Sequence, residues 1–77
     1  MGIYAYIGTE KLGEESLGSY GRVVWRPEEG ADWVTAMNFM RDAFPGKAFS
    51  VYEFANFYDD KTFTLRYTYH GKDGAAL

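Results

Sequence analysis

The stretch Phe49-Ser50-Val51-Tyr52-Glu53-Phe54-Ala55-Asn56-Phe57-Tyr58, with Lys61-Thr62-Phe63-Thr64-Leu65-Arg66-Tyr67-Thr68-Tyr69-His70 after it, decides the fold. Both halves are dense in aromatic and β-branched residues, the composition of strands, and Asp59-Asp60 between them are turn residues. The second half alternates, Phe63, Leu65, Tyr67 and Tyr69 against Thr62, Thr64, Arg66, Thr68 and His70. The first half carries bulk on both rows, with Phe49, Val51, Ala55 and Phe57 on one and Tyr52, Phe54 and Tyr58 on the other. Successive strand side chains point to opposite faces, so such a strand is either covered twice or leaves one apolar face open. A two- or four-residue turn at Asp59-Asp60 aligns Tyr52, Phe54 and Tyr58 with Phe63, Leu65 and Tyr67, whereas a three-residue turn aligns Phe49, Val51 and Phe57 with them. The two-residue turn also sets Glu53 opposite Arg66, a cross-strand pair worth roughly 0.2–1 kcal/mol, and is the preferred reading.

Outward from this hairpin, Trp33, Ala36, Met37, Met40, Ala43 and Phe44 recur at three- and four-residue steps and predict a helix. Asp32 stands at its N-cap and Pro45-Gly46 closes it, with Val34 and Phe39 widening the apolar stripe. Upstream, Ile3–Ile7 reads as a strand with Ile3, Ala5 and Ile7 on one face and Tyr4 and Tyr6 on the other. A further strand spans residues 20–26 and ends at Pro27; Val23 and Trp25 share one face, Tyr20 and Arg22 the other. Residues 9–18, punctuated by Gly13 and Gly18, form a long loop, and residues 71–77 a flexible tail. The expectation for residues 1–77 is therefore a single α+β domain: a ββαββ two-layer fold with an antiparallel four-stranded sheet and one helix packed on one face.

The chain has 77 residues, no cysteine and a formal charge of −3. Without cysteine it offers no disulfide, zinc knuckle or thiol nucleophile, which suits a reducing, cytoplasmic setting. No basic excess is present to neutralise phosphates, and the balance argues against nucleic acid as the partner. The first residues carry no positive leader, no segment reaches the length of a membrane span, and Tyr6 stands where a myristoylation signal needs Ser or Thr.

Aromatics make up 19% of the residues, which excludes disorder and exceeds what so small a core encloses. Trp25, Trp33, Phe44, Phe63 and Tyr67 suffice for the helix side. The surplus points to a contact surface on the helix-free face, with Tyr4, Tyr6, Tyr20, Arg22, Tyr52 and Arg66 as partner-binding candidates, since Tyr and Arg are enriched at binding hot spots. Two blander arrangements compete: the 9–18 loop folds over the face with Leu12 and Leu17 as plugs, or the tyrosines simply favour the strand.

The search for chemistry finds little. His70 stands alone without a Ser or Asp motif, no HExxH, metal-spaced cluster or phosphate-binding glycine loop occurs, and the acidic pairs fit no EF-hand spacing. No catalytic residue, metal or cofactor is assigned. The expected function is a small non-catalytic protein-binding module, a modulator or inhibitor of a larger complex, of the kind phage and mobile elements encode against bacterial defence systems. The alternatives are a single-stranded nucleic-acid binder that stacks bases on the sheet between Arg22 and Arg66, and a homodimeric structural protein.

Overall fold

A computed structural model describes residues 2–13, 15–20, 23–25, 32–56 and 59–74. In chain order it contains β1 (Gly2–Ile7), a 3-10 turn (Leu17–Ser19), β2 (Val23–Trp25), α1 (Trp33–Ala43), β3 (Phe49–Asn56), β4 (Asp59–Tyr69) and a helical turn α2 (Gly71–Gly74). The strands stand in the order β2-β1-β3-β4, and every neighbouring pair is antiparallel. The α+β class and a helix against an antiparallel sheet are thus as expected. The long strands are β1, β3 and β4. The strand expected over residues 20–26 is described only at Val23–Trp25, which meets β1 at Ala5–Trp25 and Tyr6–Val23 with a register shift between them.

The helix forms where its cap is written. Asp32 sits in extended backbone, and its Oδ1 accepts the Thr35 amide and the Thr35 hydroxyl, both at 2.9 Å. Its buried residues are Ala36 and Met40, packed with Ile3, Ala5, Phe49 and Val51, while Trp33, Met37, Phe44, Tyr67 and Tyr69 close the rim of this core. The stripe is narrower than its periodicity: Ala43 is exposed, and Val34 and Phe39, expected to flank the packed side, stay outside. Gly46, at φ 78°, turns the chain out of the helix, a conformation glycine adopts without steric cost. The Lys72 amide donates to the Gly46 carbonyl at 3.0 Å, so residues 71–74 of the expected tail dock as a turn beside the helix end.

The β3–β4 register departs from the expected one. Asp59 and Asp60 belong to β4, and Asp59 lies opposite Asn56, so they are strand residues rather than the turn. Phe54 faces Phe63 and Tyr52 faces Leu65, yet Val51 faces Tyr67 and Phe49 faces Tyr69. Between Tyr52 and Val51 the partner strand advances two residues, which makes Arg66 an extra residue, a β-bulge. Its effect is to switch parity: Phe63 joins the layer away from the helix, while Tyr67 and Tyr69 pack beneath it. The uninterrupted alternation of β4 is therefore divided between two cores. Glu53 and Arg66 do meet, by a different route. The register partner of Glu53 is Thr64, and Arg66 Nε reaches Glu53 Oε1 at 2.6 Å from the bulge. With Arg66 46% exposed, solvent screening keeps this pair at about 1 kcal/mol or less.

At the start of β1, Gly2 lies opposite Phe54, and a Cβ there would stand 1.6 Å from the Phe54 ring. A side chain at this position must displace a ring that is itself fully buried. We expect Gly2→Val to cost about 1–3 kcal/mol by overpacking in urea unfolding; an unchanged midpoint would refute this contact. The hydrogen bonds from Thr35 hold the Asp32 carboxyl below its ordinary 3.8. The cap therefore stabilises the helix above that pH and is lost as acid carries the pH below it. Asp32→Ala should melt earlier than wild type at neutral pH, and the difference should fade in acid.

A candidate site under a tyrosine-held loop

The helix-free face of the sheet carries a second core. Tyr6, Tyr52 and Phe54 from the sheet enclose Leu17 of the 9–18 loop, with Tyr4, Leu12, Tyr20 and Phe63 packed around them. Leu17 is wholly buried, Tyr6 and Phe54 are 1% exposed and Tyr52 is 3% exposed. The rings meet edge to face, Tyr4 on Phe54 with centroids 5.0 Å apart and Tyr52 on Phe63 at 5.5 Å, and tilted, Tyr6 on Tyr52 at 5.9 Å. Leu12 and Leu17 are the plugs that the sequence offered as an alternative.

Phenol hydroxyls reconcile this burial with polarity. The Tyr6 hydroxyl donates to the Glu10 carbonyl, the Leu12 amide donates to the Tyr52 hydroxyl at 3.1 Å, and the Gly13 amide donates to the Tyr20 hydroxyl at 2.9 Å. The Ser50 hydroxyl donates to the Gly8 carbonyl at 2.8 Å. The Gly8 amide still donates to the Ala48 carbonyl at 3.1 Å. Beyond it, main-chain groups at Gly8, Glu10, Leu12 and Gly13, which lie in no helix or strand, find partners on the sheet's side chains and on Tyr20. The rings supply apolar area inward and the hydroxyls hold the strap, which is why tyrosine rather than phenylalanine suits these positions.

The sequence candidates therefore separate. Tyr4, Tyr6, Tyr20 and Tyr52 come together, as part of a core instead of an open surface: Tyr6 and Tyr52 are buried, Tyr4 and Tyr20 half-buried. Arg66 points the other way, to Glu53, whose strand neighbour Ile3 lies in the helix-side core. Arg22 lies outside the described residues. Buried Tyr6 and Tyr52 have no ring face free for a nucleobase, and Arg66 does not stand among them. The sequence candidates omitted Leu65, which is 44% exposed and, as the partner of Tyr52, stands at the sheet margin on the helix-free face.

On the opposite face a shallow hollow of about 130 Å³ is lined by Glu53, Phe54, Ala55, Thr62, Thr64 and Arg66. Its charges are already matched within the chain by the Glu53–Arg66 pair. Among the described residues no group of three or more His, Cys, Asp and Glu is gathered to hold a metal, and no helix is long and apolar enough to cross a membrane. No protein-family model matches the chain, and no curated protein or solved structure shows a significant similarity to it.

Two outcomes follow from the buried tyrosines. Tyr52→Ser should cost about 3 kcal/mol or more of stability, the range of an aromatic deleted from a core, whereas Tyr52→Phe should cost about 1 kcal/mol for the lost acceptor. Equal, small effects in urea unfolding would return Tyr52 to the surface. Burial pushes the Tyr6 phenol above its ordinary 10.0, so its neutral form is the one the fold requires. That contribution is complete below pH 10 and is lost as the pH rises through the raised value. Tyr6→Phe should remove this part of the alkaline destabilisation.

Proposed function

We propose that the chain is a small non-catalytic protein-binding module of the cytoplasm, a modulator or inhibitor of a larger complex, acting from its helix-free side. In this reading the sheet is the four-stranded ββαββ sheet of the sequence analysis, with Val23–Trp25 its short edge. The contact surface is the outside of the covered layer rather than the sheet face beneath it. The observation that carries the reading is Leu65, an aliphatic side chain 44% exposed on the terminal strand, on the same face as Tyr52 and the half-buried Phe63, Leu12, Tyr20 and Tyr4. An exposed apolar residue adjoining a partly covered aromatic cluster is the anatomy of an interface anchor with a surrounding rim.

The test is affinity capture with the tagged chain from its native host, followed by titration of the captured protein against purified variants. Leu65→Lys should weaken binding at least tenfold and leave the unfolding midpoint within about 0.5 kcal/mol of wild type, as surface changes do. A captured partner that binds Leu65→Lys as tightly as wild type overturns the assignment of this surface. Affinity for single-stranded DNA at low salt that falls steeply as salt rises would favour the nucleic-acid alternative instead. A concentration-dependent mass in light scattering would favour the homodimer.

A further inference from the structure

We propose that the helix-free face is a groove for an extended peptide segment, and that residues 8–13 occupy it in cis as a displaceable strap. The proposal rests on the protein-binding reading above and names what that side can recognise. Three features carry it. First, the sheet grips the strap by its main chain: Ser50 on the Gly8 carbonyl, Tyr6 on the Glu10 carbonyl and Tyr52 on the Leu12 amide. Contacts of that type are indifferent to the side chains of the bound segment, as in the recognition of added strands. Second, the strap makes its apolar contact at one position. Leu12 packs against the Tyr6–Tyr52–Phe54 cluster, while Thr9, Glu10, Lys11 and Gly13 are exposed. The fitting occupant is an extended segment with one leucine-like residue among polar neighbours. Third, few bonds tie the strap at its ends: Gly8, at φ 130°, keeps its amide on the Ala48 carbonyl at 3.1 Å, and the Gly13 amide donates to the Tyr20 hydroxyl at 2.9 Å. Leu17 begins a 3-10 turn with bonds of its own, Ser19 amide to Ser16 carbonyl at 3.0 Å and Tyr20 amide to Leu17 carbonyl at 3.3 Å. Residues 8–13 can therefore leave the face while Leu17 stays seated.

A linked segment enjoys a high effective concentration, so a partner in trans must compete with it. The probe is the capped, fluorescein-labelled peptide Gly-Thr-Glu-Lys-Leu-Gly-Glu, the chain's own residues 8–14, followed by anisotropy. In the full chain, Leu12→Ser weakens the cis occupant and should bind this peptide at least tenfold more tightly than wild type does. Adding Tyr52→Phe should erase the gain, and a peptide with Ser in place of Leu should not bind. A cooperatively folded Leu12→Ser protein that binds no better than wild type, or that accepts both peptides equally, overturns the proposal. Amide hydrogen exchange on the wild-type chain decides the matter without any variant. The Leu12 and Gly13 amides should exchange at least 100-fold faster than amides of β3; exchange only at the rate of global unfolding makes the strap a fixed part of the core and overturns it. Loss of the strap result with a Leu65-dependent partner still captured defeats the groove alone; absence of any Leu65-dependent partner defeats the broader reading.

Discussion

The double burial of β3 is the constraint on which the rest of this small structure depends. Phe49 and Val51 look to the helix and Tyr52 and Phe54 to the loop, and all four are 3% exposed or less. A strand with bulk on both rows in a chain of 77 residues needs two covers, and among the described residues only one helix of useful length is present. The second cover is therefore built from the 8–13 strap and the short 3-10 turn that begins at Leu17. Loops seldom run over apolar faces, because their unpaired amides and carbonyls are costly to bury. Here the cost is met by phenol and serine hydroxyls rising from the covered face itself.

The same constraint explains the irregular margin of the sheet. β4 must give one aromatic to the loop side, Phe63, and two to the helix side, Tyr67 and Tyr69. A regular strand of period two cannot do this with odd-numbered residues alone. One extra residue at Arg66 solves the geometry, and the displaced guanidinium finds the Glu53 carboxylate, which is otherwise 9% exposed in a largely apolar sheet.

What could be read from the residues follows the range of the interactions. The helix start was legible because Asp32 and Thr35 are three residues apart and settle the cap between them. The two-sided character of residues 49–58 was legible because it needs only alternation. The bulge was not, since no glycine or proline marks Arg66 and the shift is set by what each core lacks across the sheet. Covering by the loop was visible only as one option among three. Leu12 and Leu17 fit no helical or strand period, and the hydrogen bond from Leu12 to Tyr52 joins residues far apart in the chain. Arg66 was misplaced for the same reason, its face depending on the bulge.

The pairing of β1 with β3 has a consequence for the way the chain acquires its shape. Gly2 meets Phe54 and Ile7 meets Phe49, contacts that close loops of about forty to fifty residues. The helix and the β3–β4 hairpin, by contrast, are built from neighbours. Local elements form in microseconds, while the distant closure carries the entropic barrier. In chain order β1 precedes both of its neighbours: Val23–Trp25 follows it closely, but its longer pairing waits for residues 49–54. Both cores draw on residues of β1 and β3, so the seating of β1 on β3 is the step at which the two close together.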